Sequence, residues 1–241
     1  MKFITSINGI SGFRAPPDDI TPKESVAPAA LIQELVKTFS FSVVPPVTGQ
    51  SPLVQGVVLP TTQITLSFEH GQLEDSGQQI PIMRLFVTGN GAVAVTATTD
   101  LSDTVISKLV SVLNEKFGFL IHAGRVKHDH VSNVVVEFEE DFEKSVSALR
   151  RITEAINEVV QPSEALRYQF KRLAFGRDFG PLVIDPAMLG LDAADRVDFI
   201  LERRSQEPYS RNRYFSSAPL TTEQHISLLN KLENIIRHKP R

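Results

Sequence analysis

The chain contains no cysteine and no tryptophan among its 241 residues. Without cysteine it can form neither disulfides nor thiolate metal sites, and cysteine nucleophile chemistry is excluded. Its apolar runs are far shorter than the roughly 20 residues that a membrane-spanning helix needs. Residues 1–13 hold one lysine and no long apolar run, so they resemble neither a secretory signal nor a membrane anchor. These absences predict a soluble, cytoplasmic protein that makes no contact with a membrane.

Neither sign of charge dominates, because the net charge is only -3. The hydrophobic fraction of 41% and the charged fraction of 22% are ordinary for a globular protein. Arginine is unevenly spread, since only Arg14 and Arg84 precede Phe119, but acidic residues in the second half offset the later arginines. A broad phosphate-binding face is therefore not indicated, and nucleic acid is disfavoured as a partner.

The pattern of apolar residues predicts an α+β fold with mostly antiparallel sheet and amphipathic helices packed on one face. Gly89, Asn90 and Gly91 form a tight-turn signal between two apolar runs, which predicts a hairpin. Helices are predicted over 28–39, 102–117 (capped by Ser102), 141–160 and 222–238. Strands are predicted over 41–47, 53–59, 62–69, 80–87, 92–97, 131–138, 168–175, 197–202 and 213–216.

Three segments are expected along the chain: an irregular stretch over 1–25, an α+β half over 26–120 and a second α+β half over 121–241. The two halves share a pattern, because a predicted hairpin precedes a capped amphipathic helix in each. Leu101 and Ser102 align with Leu220 and Thr221 at a spacing of 119 residues. Duplication of one α+β unit would explain this pattern, but so would convergence, because a capped amphipathic helix after a hairpin is common. The two halves are expected to pack as one compact unit.

The most unusual segment runs from Glu202 to His225 and is rich in arginine and tyrosine. Both residue types combine a flat face with hydrogen-bond donors, which suits recognition of a partner. This Arg/Tyr segment predicts a contact with a protein, either another chain or a second copy of this one. The alternatives are a hairpin loop whose side chains pair internally, and an RNA or nucleotide site. The candidate partner-binding residues are Arg203, Arg204, Tyr209, Arg211, Arg213 and Tyr214.

Three histidines in one short connection are weak candidates for metal ligands: His122, His128 and His130. Two of them would point the same way on a strand, as a metal site requires, but a polar turn with solvated histidines is the preferred explanation. No P-loop, dinucleotide fingerprint or nucleophile elbow occurs. No cofactor is therefore expected.

Two triplets, His130-Val131-Ser132 and His225-Ile226-Ser227, are similar to the paired His-x-Ser/Thr motifs of the 2H phosphoesterase superfamily. The resemblance covers these six residues, and no family resemblance extends over the length of the chain. It implies a phosphodiesterase in which His130 and His225 act as acid and base while Ser132 and Ser227 hold phosphate oxygens. It also implies a strand at the second triplet, where the sequence instead predicts the start of a helix. Binding or assembly without chemistry is therefore the preferred prediction.

Overall fold

The computed structural model describes residues 1–15, 26–45, 66–88, 91–122, 125–160, 168–176, 198–204, 208 and 211–237. The strands formed by these residues are β1 (Lys2–Arg14), β2 (Leu66–Asp75), β3 (Gln78–Thr88), β4 (Gly91–Thr96), β5 (Lys127–Glu137), β6 (Arg172–Phe175), β7 (Phe199–Arg203) and β8 (Arg213–Ala218). The helices are α1 (Pro28–Phe39), α2 (Thr99–Phe117), α3 (Phe142–Ser145), α4 (Ser147–Val160) and α5 (Thr222–Arg237). Every strand pair whose register is defined is antiparallel. The predicted α+β class is confirmed.

The chain divides into two compact units. Residues 8–130 form one, here called the central unit, and residues 1–7 with 131–241 form the other, here called the terminal unit. The division therefore falls inside β1 and inside β5, whereas the sequence-based halves were divided between residues 120 and 121.

In the central unit the strands follow the order β2-β3-β4-β1. Alternate residues of each strand point to the same face of this sheet, and helices α1 and α2 pack on that face. The core between the helices and the sheet includes the fully buried Leu35, Phe39, Phe68, Leu85 and Leu109.

In the terminal unit β5, β8, β7 and β6 follow one another in the sheet, with β1 beside β5. Val134, Leu201 and Tyr214 point from the strands into a core that Phe142 and Leu229 close from the helices. The strands of this unit thus also bury one face against helices.

Among the described residues both units contain the same run of elements: a strand, a helical segment, three strands and a closing helix, running from β1 to α2 in the central unit and from β5 to α5 in the terminal unit. Both closing helices are capped by a threonine, because Thr98 accepts from the Leu101 amide and Thr221 accepts from the Gln224 amide. Matching the two caps gives a spacing of 123 residues, rather than the 119 read from the sequence. Duplication and convergence both stay open as explanations of this shared order.

Several sequence-based boundaries need correction. Residues 2–14 form a strand paired with β4, although 1–25 was expected to be irregular. Helix α2 begins at Thr99 with Thr98 as its cap, so Ser102 lies inside the helix. The single helix predicted over 141–160 is two helices, α3 and α4. The predicted strand 53–59 and the Gly89-Asn90 turn lie outside the described residues, whereas α1 and α5 match their predictions closely.

Candidate functional site

Two residues of the predicted Arg/Tyr contact are buried inside the terminal unit. Arg203 is only 4% exposed and its Nη2 donates to Asp141 Oδ1 at 2.7 Å. Its guanidinium carbon lies 5.3 Å from the centre of the Tyr214 ring, which is fully buried and packs edge-on against Phe138. A buried arginine with a carboxylate and an aromatic face beside it is a structural arrangement. Arg203 and Tyr214 are therefore removed from the predicted partner surface.

The remaining described residues of the segment are half-buried or exposed. Arg213 Nε donates to Glu137 Oε2 at 2.8 Å, and this hydrogen bond lowers the pKa of Glu137 below its usual value. Arg204 is half-buried at the end of β7, and its backbone amide donates to the Arg213 carbonyl. Arg211 is exposed. Tyr209 lies outside the described residues.

The second His-x-Ser triplet lies in the first two turns of α5. His225 is fully buried and Ser227 is exposed, because residues two apart on a helix point in nearly opposite directions. The phosphodiesterase resemblance requires a strand at this position, but the structure has a helix there, so the resemblance does not extend to the structure. Ser132, from the first triplet, is buried on β5 with its hydroxyl 3.5 Å from Thr222 Oγ1.

His225 fastens α5 to the sheet of the terminal unit. Its Nε2 lies 2.9 Å from Ser216 Oγ on β8, and that hydroxyl also lies 2.7 Å from the Ile200 carbonyl on β7. Burial lowers the pKa of His225 to about 4, and hydrogen bonding with the Ser132 backbone offsets only part of this effect. The ring is therefore neutral at physiological pH.

The same helix position carries a polar contact in the central unit. Ser102, four residues after the Thr98 cap, donates to the Gly9 carbonyl on β1 at 2.8 Å and lies 2.9 Å from Thr96 Oγ1 on β4. His225 is likewise four residues after the Thr221 cap. Both side chains form polar contacts that link a closing helix to its sheet, so a structural role explains His225.

The three candidate metal ligands do not converge in the structure. His130 Nε2 lies 3.1 Å from both carboxylate oxygens of Asp103, while His122 and His128 are exposed. Among the residues with described positions, no group of three His, Cys, Asp or Glu side chains is arranged to hold a metal ion.

An apolar surface of the central unit was missed by the sequence reasoning. On the sheet face opposite α1 and α2, four side chains lie in cross-strand register and are half-buried: Ile10 on β1, Phe86 on β3, and Val93 and Val95 on β4. Ile10 pairs with Val95, and Phe86 pairs with Val93. None of the four belongs to the core that α1 and α2 cover, and we call them the apolar central face.

The sequence does hold a signal for this face. Residues 92–95 read Ala-Val-Ala-Val, so β4 has no polar residue on either side over this stretch. An antiparallel strand with one solvated face normally alternates apolar and polar residues. The loss of alternation indicates that both faces of β4 meet apolar surroundings.

Two ion pairs on the same side of the sheet accompany the apolar central face. Arg84 Nε lies 3.2 Å from Glu69 Oε1, and Arg84 is the register partner of Val95. Arg14 Nη2 lies 3.5 Å from Asp129 Oδ2. Each cation has an acid beside it, so the surroundings of the apolar face carry little net charge.

Comparison of the chain with protein-family models, curated proteins and solved structures found no match. Among the helices within the described ranges, none is long and apolar enough to cross a bilayer.

Proposed function

We propose that this protein binds another protein, and that the apolar central face is part of the binding surface. The observation that supports the proposal most directly is the register of Ile10 with Val95 and of Phe86 with Val93 on the side of the sheet opposite the helices. Contiguous apolar surface of this kind is uncommon on monomeric proteins except at interaction sites.

The charges favour a protein over a nucleic acid as the partner. Binding to a phosphate backbone depends on cations that can release counterions from the nucleic acid. Arg84 and Arg14, the cations next to the apolar central face, each have a carboxylate within 4 Å. Protein interfaces, by contrast, have an apolar centre and a polar rim of mixed charge.

We propose the Arg/Tyr segment as a second contact with the partner protein, formed only by those of its residues that are accessible. Arg211 is exposed, and Arg213 retains a partly exposed side chain beside Glu137. Replacing Arg211 with Glu reverses a surface charge, so the fold should be unaffected while binding weakens if this segment takes part.

The test replaces Val93 and Val95 with threonine. Threonine keeps the β-branched shape that suits a strand but puts a hydroxyl on the apolar surface. Val43→Thr is the matched control, because Val43 is 47% exposed and lies outside the apolar central face. Each protein would be used to capture partners from extracts of the native host, with quantitative mass spectrometry and far-UV circular dichroism.

We expect the wild-type protein and Val43→Thr to capture the same protein and the Val93→Thr/Val95→Thr variant to lose it. Identical capture by all three folded proteins would contradict the proposed surface. Binding to single-stranded RNA whose affinity falls steeply with salt would instead favour nucleic acid. The expected slope of log affinity against log salt concentration is about -0.7 per phosphate contacted.

A further inference from the structure

Helix α4 exposes an apolar stripe. Ala148, Ile152, Ala155 and Val159 recur at spacings of four, three and four, so they share one face of the helix. Ile152 is 58% exposed and Val159 is 83% exposed. Large apolar side chains at this spacing are normally buried against another element.

The side of α4 that packs on its own unit is a different one. Leu149 packs against the core of the terminal unit, and Asn157, about two turns further along the helix, is half-buried. The Asn157 amide donates to the Tyr168 carbonyl and accepts from the Tyr168 amide, at 2.9 and 2.8 Å. An asparagine therefore occupies part of the inner side, while Ile152 and Val159 face away from the described core.

We propose that the stripe of α4 binds α4 of a second copy of this chain in an antiparallel pair. The stripe alternates small and large residues, and reversing the direction of one helix places small against large. Ala148 then lies opposite Val159 of the second copy, and Ile152 lies opposite Ala155 of the second copy. Such alternation allows two helices to approach closely and fill the space between them.

The charges along one border of the stripe select the same orientation. Arg151 is near the start of α4 and Glu158 is near its end, seven residues apart. Two turns of helix, about 10 Å, separate them, so they do not pair within one helix. An antiparallel pair places Arg151 beside Glu158 of the second copy, whereas in a parallel pair the borders that carry these charges lie on opposite sides of the interface and cannot pair.

The expected dimer is weak and reversible. Helix α4 has 14 residues and is thus about 21 Å long. A contact of one helix pair lies at the small end of specific interfaces, below about 1,200 Å² of buried surface. This proposal is independent of the apolar central face, which lies in the central unit.

The first test is sedimentation equilibrium of the full chain over a wide range of concentration. We expect a monomer–dimer equilibrium whose dissociation constant rises about tenfold or more in Ile152→Gln/Val159→Gln. Ile235→Gln is the matched control, because Ile235 is 68% exposed on α5 and lies outside the stripe. A monomer at all concentrations, or a dimer that Ile152→Gln/Val159→Gln leaves unchanged, would overturn the proposal.

Charge exchange and crosslinking test the orientation. Arg151→Glu and Glu158→Arg should each weaken the dimer, and the double variant should restore it because the pair re-forms between copies. The chain has no native cysteine, so introduced cysteines can form disulfides only with one another. Mixing Ile152→Cys with Ala155→Cys should give mainly the mixed disulfide. Exclusive linking of Ala155→Cys to itself would indicate a parallel pair and overturn the proposal.

Discussion

His225 is a titratable ring in a site that suits only its neutral form. Its neighbours are Ser216, the Ser132 backbone and the Phe199 ring, and none of these groups carries a charge to balance an imidazolium. Folding therefore holds the ring unprotonated well below the pH at which it would take up a proton in the unfolded chain.

This environment predicts a loss of stability in mild acid. The folded pKa of about 4 lies below the ordinary value of 6.5, so between these limits the unfolded state binds the additional proton. The contribution of the neutral His225 ring to the free energy of unfolding should be fully present above pH 6.5. It should be lost as the pH decreases toward 4, which lowers that free energy by about 3 kcal/mol in total. Urea unfolding at several pH values checks this. All three tyrosines, Tyr168, Tyr209 and Tyr214, lie in the terminal unit, so their fluorescence follows the unit that contains His225.

His225→Gln should flatten the pH dependence within that window, since glutamine does not titrate. His128→Gln is the control, because His128 is exposed and should change nothing. If His225→Gln keeps the wild-type slope between pH 6.5 and 4, the buried ring is not the group responsible.

At the scale of elements, β1 shows where sequence patterns were insufficient. From Ile4 onward its larger apolar residues, Ile4, Ile7, Ile10 and Phe13, recur every third position and so lack the period of two that marks a strand. Small residues occupy intervening positions because α2 approaches β1 closely: Ser11 donates to the Thr99 carbonyl, and Gly9 lies against the Thr98–Thr99 backbone. By contrast α1 and α5 were predicted correctly, since the first-turn proline of α1, the Thr221 cap of α5 and the apolar spacing of both helices are local signals.

The close approach at Gly9 gives an element-scale prediction. A methyl group at Gly9 would overlap the backbone of Thr98 and Thr99, which cannot move without shifting the start of α2. Gly9→Ala should therefore destabilise the central unit by about 1–3 kcal/mol or more. Chemical denaturation followed by circular dichroism measures this.

Gly12→Ala, on the same strand, is the comparison. Its methyl group would meet the Val93 side chain at 3.2 Å and the Ala92 carbonyl oxygen at 3.3 Å, so a shift of a few tenths of an ångström would relieve both contacts, whereas the backbone facing Gly9 lies much closer. Gly12→Ala should therefore lower the free energy of unfolding by less than Gly9→Ala does. Equal denaturation midpoints for Gly9→Ala and Gly12→Ala would show that the β1–α2 contact is not tight.

For the whole molecule, the sequence predicted the α+β class but not which residues belong to which unit. The reason is that a boundary inside a strand leaves no local mark, whereas a linker is visible as proline, glycine and polar residues. Pro16, Pro17 and Pro22 drew attention to an irregular segment, although the strand before them supplies the buried Phe13 to the central core. The candidate surfaces escaped prediction for a related reason, because whether an apolar residue is covered depends on elements distant in sequence.

The unit boundaries can be tested with fragments. Residues 8–130 contain β1 from Asn8 onward, with the β1–β4 ladder from Gly9 to Arg14 and the contact of Ser102 with the Gly9 carbonyl. Residues 26–120, the sequence-based half, lack that strand, so β4 would expose an unpaired edge and the core would lose Phe13. We expect 8–130 to unfold cooperatively on heating and 26–120 to show no cooperative transition by circular dichroism. Cooperative unfolding of 26–120 with a midpoint equal to that of 8–130 would show that β1 is dispensable, and would restore the boundary drawn from the sequence.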